Sequence, residues 1–174
     1  MAEYGKSVYS QAGEDGIIAE ILYRLGIKDG MYVDIGAGDG VTLSNTRNLL
    51  GKGWEGILVE RDKEKCRAIE TGLRSYVEQG AVIVKNMAIT AANANDVMAR
   101  GVRLLSIDID GNDYWIWRAI LSKPEVVVIE YNAHFDPHEQ YVVEYDPEFQ
   151  WQKDNYYGAS AGALIALARE KGYV

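Results

Sequence analysis

Short apolar runs alternate along the chain with segments of helical spacing. The runs that we predict to be strands are residues 32–35, 56–60, 81–84, 104–110 and 126–130. Helical patterns cover 17–25 (with Ser10 as N-cap and Gly26 after its end), 43–50, 61–76, 91–100 (weakly), 112–121 and 159–171. Strands of this length that alternate with helices predict a parallel sheet with helices on both faces. We therefore predict a three-layer αβα, doubly wound, mostly parallel α/β fold in one domain, residues 1–174.

The composition of the chain argues against some classes of binding partner. The chain has 174 residues, 48% of them hydrophobic, and a net charge of −8. That charge argues against a nucleic-acid partner and against an anionic membrane surface. No signal peptide and no apolar run of transmembrane length is visible, and the single cysteine, Cys66, excludes an internal disulfide. We expect a cytoplasmic protein.

Residues 133–157 interrupt the alternation of strands and helices. Six acidic residues and seven aromatic residues fall in this segment, with Lys153 as its only basic residue. A long connection in a compact domain is often functional. The sequence leaves two interpretations open, a lid over a site and an ordinary surface excursion anchored by its aromatic rings.

A glycine-rich turn follows the first predicted strand. Asp34 and Ile35 run into Gly36, Ala37, Gly38, Asp39 and Gly40. A buried strand that ends in such a turn commonly seats a nucleotide-like ligand. The dinucleotide pattern G-x-G-x-x-G requires a third glycine where this chain has Val41, and Asp39 would repel a pyrophosphate. The turn therefore favours a cationic ligand without phosphates.

Polar residues also end the other predicted strands, at the sheet edge where ligands of parallel α/β folds bind. Glu60 follows Gly40 by 20 residues, where a carboxylate can accept hydrogen bonds from two ribose hydroxyls. Asn86, followed by Met87 and Ala88, suits an adenine, with an amide for the ring edge and apolar contacts for its face. These positions predict a nucleoside site.

Two acids end the fourth predicted strand. Ser106, Asp108 and Asp110 alternate, so we predict that they share one face of that strand. Asp108 would lie beside a positive charge of the ligand, and Asp110 further out, towards a substrate. A divalent metal held by Asp108, Asp110 and Glu130 is an alternative. Because no Asp-x-Asp-x-Asp-Gly loop is present, we predict no metal requirement.

Three residues are candidates for a general base: Asp110, Glu130 and His134. His134 follows the fifth predicted strand, and a histidine there could take a proton from a hydroxyl. His134 and His138 also have the spacing of half a zinc site, but Pro137 between them argues against a helix.

Several motifs in their order along the chain resemble the FkbM-type branch of the S-adenosylmethionine (SAM) methyltransferases, from about Ser10 to Tyr173. They are Ser10-Gln11, Gly13-Glu14-Asp15, Asp34 to Gly40, Ser44-Asn45-Thr46, Gly56 to Glu60, Ile107 to Gly111 and Tyr157 to Ser160. The resemblance implies a Rossmann-like methyltransferase fold with SAM as cofactor. Members usually methylate hydroxyl oxygens of sugars or natural products, so we expect a small-molecule substrate.

Residue by residue, the resemblance implies that Asp34 to Gly40 hold the methionine part of SAM. It further implies that Glu60 holds the ribose and that Asn86 lies near the adenine. We add Gln11, Arg61 and Asp108 as predicted cofactor contacts.

One departure from the family pattern concerns the C-terminus. Such folds normally finish with a β-hairpin after the last helix, and this chain ends at Tyr173-Val174, where we expect that hairpin to begin. A second copy of the chain could cover the open sheet edge as a homodimer. Two other functions therefore stay open, a SAM- or nucleotide-binding module without catalysis and a nicotinamide-dependent oxidoreductase.

Overall fold

Five strands form a single sheet in the computed structural model, which describes all 174 residues. The strands are β1 (Met31–Ile35), β2 (Glu55–Glu60), β3 (Val82–Asn86), β4 (Val102–Ile107) and β5 (Val126–Ile129), in the order β3-β2-β1-β4-β5. β2 pairs in parallel with β1 and with β3. This order is that of a doubly wound α/β fold. The predicted mostly parallel Rossmann-like fold is confirmed.

The central strand β1 is covered on both faces. Tyr32, Val33 and Ile35 are all fully buried, although successive side chains of a strand point to opposite faces. Parallel strands that are buried on both sides are continuous apolar runs, as seen here. Tyr32 pairs with Gly56 of β2, and a Cβ on Gly56 would clash with the tyrosine ring.

Six α-helices accompany the strands. They are α1 (Glu14–Arg24), α2 (Arg47–Leu50), α3 (Lys63–Gly72), α4 (Arg74–Glu78), α5 (Asp113–Ala119) and α6 (Ala161–Glu170). The predicted N-cap of α1 is wrong, because α1 begins after Gly13, whose φ is 99°. Ser10 instead accepts a hydrogen bond from the backbone N–H of Asp15 at 3.0 Å. Gly26, with φ of 69°, follows the end of α1 as predicted.

Two predicted helices are much shorter than expected. α2 contains only residues 47–50 because the chain turns sharply before it, with Leu43 in the left-handed region at φ of 56°. The weak helix at 91–100 is reduced to a 3₁₀-helix, Ala94–Val97. No side chain caps that 3₁₀-helix, and helices without caps and without a strong apolar face form poorly.

The contacts within the chain divide it into two compact units. The first unit contains Met1–Ala88, Ala99–Ser106 and Pro124–Val128, and the second contains Ile89–Met98, Ile107–Lys123 and Ile129–Val174. The core of the first unit joins α1, α2 and α3 to the sheet through residues such as Leu22, Leu49, Leu58, Ile69 and Leu104. In the second unit, α5 and α6 supply fully or nearly fully buried residues that include Ile116, Trp117, Ala163 and Leu167.

The last residues form no strand. α6 ends at Glu170 and Gly172 follows in the left-handed region, so the expected start of a strand at Tyr173-Val174 is wrong. Instead the Tyr173 ring lies 5.8 Å from the Trp117 ring, measured between centroids. None of the helices combines the length and the apolar character that a membrane crossing requires.

Candidate functional site

The glycine turn of the first unit is fixed to the neighbouring strand. Gly36 and Ala37 both donate backbone hydrogen bonds to the carbonyl oxygen of Val59 in β2, at 2.9 and 3.1 Å. Gly36, Gly38 and Gly40 all have positive φ, a conformation that favours glycine. The alternating glycines of the sequence are therefore required by the backbone path of this turn.

Glu60, at the end of β2, binds the same turn. Its Oε2 accepts a hydrogen bond from the backbone N–H of Gly38 at 2.9 Å, and its Oε1 accepts one from Asp62 at 2.8 Å. Glu60 is only 6% exposed. Each carboxylate oxygen has a second acceptor position, so Glu60 can still accept from a ligand hydroxyl. The structure thus brings the predicted ribose acid and the glycine turn together.

Asp34 holds the scaffold beneath the turn. It is 4% exposed and accepts a 2.6 Å hydrogen bond from the Thr46 hydroxyl, the residue before α2. Burial raises the pKa of Asp34 to about 6, the charge of Glu60 acts in the same direction, and hydrogen bonds from Thr46 and Ser106 oppose them. Its side chain therefore connects β1 to α2 and to β4, which explains the Ser44-Asn45-Thr46 motif.

The Asp39 side chain fixes the backbone that directly follows the glycine turn. Its Oδ1 accepts backbone hydrogen bonds from Val41 and Thr42, and its Oδ2 accepts one from the Thr42 hydroxyl at 2.7 Å. Partial burial alone would raise the pKa of Asp39, but these hydrogen bonds favour the charged form, and the pKa is lowered. Asp39 therefore stays ionised and keeps a negative charge in the loop.

The other predicted cofactor residues of the first unit lie around the end of β2. The Asn86 amide donates to the carbonyl oxygens of Glu60 and Arg61, at 3.0 and 2.9 Å, and the backbone N–H of Met87 donates to Glu60 at 3.1 Å. Asn86 therefore fixes the Glu60-Arg61 backbone, a role that the sequence did not suggest. Gln11 and Ala88 are exposed.

Three acids of the second unit converge. The carboxylate oxygens of Asp108, Asp110 and Glu130 lie within 4.8 Å of one another, and we name these three residues the acid cluster. Burial and the charges of Asp108, Asp113 and Asp110 raise the pKa of Glu130 to about 8. The Oε2 atom of Glu130 is buried without a hydrogen-bond partner. The cluster therefore contains a carboxyl group that holds its proton more tightly than an ordinary glutamate does.

The predicted alternation of Ser106, Asp108 and Asp110 along one strand face is wrong. β4 ends at Ile107, so both acids lie in the loop that follows. Asp110 has a φ of 58°, in the left-handed region, which no strand residue adopts. The acids meet because this turn folds back on itself.

Of the three base candidates, only Asp110 and Glu130 belong to the acid cluster. His134 is exposed, and its backbone N–H donates to the Asn132 side chain at 2.9 Å. The half-buried Tyr157 also lies near the cluster. Burial and the charges of Glu130, Asp110 and Asp108 raise the pKa of its hydroxyl. Sequence reasoning did not single out Tyr157 as a site residue, and only its place in the Tyr157 to Ser160 motif pointed to it.

The acidic aromatic segment, residues 133–157, is held to the rest of the second unit by side-chain hydrogen bonds. The Asn112 side-chain amide donates a hydrogen bond to the backbone carbonyl oxygen of Asp146 at 2.7 Å. The Trp115 indole N–H donates one to the backbone carbonyl oxygen of Val143 at 2.8 Å. The fully buried Asn132 donates to the carbonyl oxygens of residues 155 and 157, both at 2.9 Å. Hydrogen bonds from Asn112, Trp115 and Asn132 therefore hold the segment at its middle and at its end.

The first unit also contains a cavity of about 350 Å³ that the predicted site does not use. It is lined by the end of α1 and the loop before β2, through residues that include Leu22, Ile27, Lys52 and Trp54. None of the predicted site residues lines this cavity.

Neither a protein-family model nor a curated protein matches the sequence. Among solved structures, the chain is similar to precorrin-6y C5,15-methyltransferase from Geobacter metallireducens GS-15, with 21% identity, a TM-score of 0.48, and 72% of this chain and 64% of that chain covered. A conserved hypothetical protein from Streptococcus pyogenes has 20% identity and a TM-score of 0.49, over 70% of this chain and 80% of that chain.

A S-adenosylmethionine-dependent methyltransferase from Clostridium acetobutylicum ATCC 824 has 19% identity and a TM-score of 0.43, over 68% of this chain and 45% of that chain. The chain therefore spans less than two thirds of the length of both named methyltransferases. Similarity at this level does not assign a family, an activity or a substrate to the chain.

Proposed function

We propose that the protein is a SAM-dependent methyltransferase of the FkbM type that methylates a hydroxyl oxygen of a small molecule. The observation that carries this proposal is the glycine turn held against Glu60 by the Gly38 N–H. Residues 31–46 contain no lysine or arginine, and Asp34, Asp39 and Glu60 surround the turn with acids. A nucleoside that carries a positive charge and no phosphate suits these groups better than a dinucleotide does.

The residues present fit such a cofactor. Apart from Gly38 and its two neighbours in the chain, no residue has an atom within 4 Å of the position that a Cβ on Gly38 would take, so the backbone there is open to a ligand. Glu60 can accept hydrogen bonds from ribose hydroxyls, and Asn86, Met87 and Ala88 would lie along the adenine. When bound, SAM supplies an activated methyl group.

The acid cluster would receive the proton of the acceptor hydroxyl. We assign this role to Glu130 because burial and the neighbouring acids raise its pKa to about 8 and so strengthen it as a base, and we name Asp110 as the second candidate. A base whose pKa lies near the working pH combines a useful deprotonated fraction with a strong affinity for the proton. The negative charges around it favour a neutral or cationic acceptor over an anionic one.

Calorimetric titration tests cofactor binding, with two glycine variants as a matched pair. Gly38 and Gly80 both have positive φ, at 59° and 75°, and both have open space where a Cβ would stand. Alanine at either position therefore causes similar backbone strain, but only Gly38→Ala places a methyl group in the proposed site. We expect SAM to bind the wild type and G80A, and to bind G38A about tenfold more weakly or worse.

Equal SAM affinity in both glycine variants would contradict the proposed site. No heat from SAM together with quenching of NADH fluorescence would favour the oxidoreductase. SAM binding without methyl transfer to any member of a panel of alcohols and sugars would favour the binding module.

We further propose a homodimer formed through β5. The strand order places β5 at one edge of the sheet, and its residues Val127, Val128 and Ile129 are half-buried β-branched residues. An apolar edge strand with free backbone groups is a template for another strand. Sedimentation at increasing protein concentration should show dimers, and a monomer at every concentration would contradict this proposal.

A further inference from the structure

The turn after β4 is organised around the Asp113 side chain. Asp113 is 1% exposed and begins α5. Its Oδ1 accepts a hydrogen bond from the backbone N–H of Ile109, and its Oδ2 accepts one from Gly111, both at 2.9 Å. The two donors are the residues on either side of Asp110. A single buried carboxylate therefore binds both neighbours of a residue in the acid cluster.

This arrangement explains how Asp110 keeps an unfavourable backbone conformation. Its φ of 58° lies in the left-handed region, which costs free energy for every residue except glycine. Burial raises the pKa of Asp113, whereas the hydrogen bonds from Ile109 and Gly111 favour its charged form, and these two hydrogen bonds bracket the strained residue. Asp110 cannot rotate to an ordinary conformation without breaking at least one of them.

The same turn is also held from its other side. A Cβ on Gly111 would clash with the Phe149 ring, and the Gly111 carbonyl accepts a hydrogen bond from Gly158 at 3.2 Å. The Asn112 amide binds the Asp146 carbonyl at 2.7 Å. The acidic aromatic segment and the Asp113 carboxylate thus fix the turn together.

We propose that Asp113 is a positioning residue, which holds the Ile109–Gly111 turn so that the Asp110 carboxylate stays beside Asp108 and Glu130. The proposal rests on the proposed methyltransferase function, in which Asp110 or Glu130 takes the proton of the acceptor. Asp113 itself touches neither cofactor nor acceptor. The charge of Asp113 also raises the pKa of Glu130, so kcat is taken from the plateau of the pH–rate profile, where that pKa does not enter. On that plateau the effect of Asp113 passes through the position of Asp110.

A double-mutant cycle on methyl transfer tests this. The variants are Asp113→Asn, Asp110→Asn and the double variant, and Asp15→Asn is the control. Asp15 is a carboxylate of similar burial in the first unit, 3% exposed, that accepts three backbone hydrogen bonds. We expect D113N to lower kcat about tenfold or more with the KM for SAM unchanged. We expect D15N to lower the melting temperature alone.

The decisive comparison is between the double variant and D110N. If Asp113 acts through Asp110, the double variant is no slower than D110N. If the two effects on kcat multiply, or if D113N keeps the wild-type kcat, the proposal is overturned.

Amide hydrogen exchange separates this proposal from the proposed function. If the wild type transfers no methyl group, the proposed function fails, and exchange at Ile109 and Gly111 then decides the role of Asp113. Both amides should be protected in the wild type and should exchange about tenfold faster or more in D113N. Unchanged exchange at Ile109 and Gly111 in D113N would overturn the proposal. If D113N does not fold, the wild type alone decides, and rapid exchange of these two amides in the wild type would overturn the proposal.

Discussion

The acids of the first unit and those of the second unit differ in how the chain uses them. Asp34, Asp39 and Glu60 each accept hydrogen bonds from the chain itself, and those bonds build the glycine turn. In the acid cluster, Glu130 has a buried oxygen without a partner. Burial and neighbouring acids raise its pKa to about 8.

This difference separates a rigid binding scaffold from a reactive group. An acid that accepts hydrogen bonds from the chain itself fixes the geometry of the backbone around it. An acid that is buried among other acids holds its proton more tightly and becomes a base of useful strength. The predictions below test whether the two groups of acids have these separate roles.

Replacement of Glu130 should have the largest effect. Glu130→Gln keeps the size of the side chain but cannot take a proton, so kcat for methyl transfer should fall by about a hundredfold or more. SAM affinity, measured by calorimetry, should stay unchanged because Glu130 belongs to the acceptor side. His134→Gln is the matched control, since His134 is exposed and outside the acid cluster. A larger loss in H134Q than in E130Q would reverse the assignment of the base.

The pH dependence of the reaction follows from the same pKa. The base must be deprotonated, so kcat should rise about tenfold per pH unit below the pKa and level off above about 8. Because the pKa of Glu130 is raised in the folded state, its contribution to the free energy of unfolding falls as pH rises from about 4.5 to about 8. A pH–rate profile that is flat from pH 6 to 9 would contradict the role of Glu130.

Side-chain packing in the scaffold of the first unit should contribute measurably to stability. Gly56→Ala inserts a methyl group against the buried Tyr32 ring and should lower the free energy of unfolding by about 1–3 kcal/mol. Gly72→Ala is the control, because that position at the end of α3 has open space and no positive φ. Denaturant unfolding measures both. Equal midpoints for G56A and G72A would show that the Tyr32–Gly56 contact carries little energy.

The smallest expected effect is at Asp34. Its pKa of about 6 lies above that of an unfolded aspartate, so the folded state binds the proton more tightly. The contribution of Asp34 to the free energy of unfolding is therefore greatest below about pH 4 and is lost as pH rises through about 6, by on the order of 2 kcal/mol. Asp34→Asn should remove this decline, as thermal melting across that range would show. The same slope in D34N and in the wild type would assign it to another group.

The sheet could be predicted from sequence because its strands are buried apolar runs with little local ambiguity. The strands around Val33, Leu58 and Leu104 were each found within a few residues of the predicted bounds. Polar residues at the strand ends were also recognisable, since their position in the chain alone distinguishes them from the apolar strand bodies. This pattern was sufficient to locate the glycine turn and Glu60 at the ends of their strands from the sequence.

The failures have a common physical cause, the local hydrogen bonds of side chains with the backbone. Asp39 accepts hydrogen bonds from the backbone N–H groups of Val41 and Thr42 directly before the predicted helix, and Asp113 folds Asp110 out of the predicted strand. Such carboxylate–backbone contacts compete with regular structure but leave no periodic pattern. Tyr157 was missed for another reason, because only the folded second unit brings it near acids that are distant in sequence.

A crystal structure with S-adenosylhomocysteine tests the central claim most directly. We predict that the ligand lies on the Gly36–Gly40 turn, with its ribose hydroxyls donating to the Glu60 carboxylate while the Gly38 N–H remains bound to that carboxylate. Electron density for the ligand at another place on the chain, or a Glu60 carboxylate that makes no contact with the ribose, would contradict it.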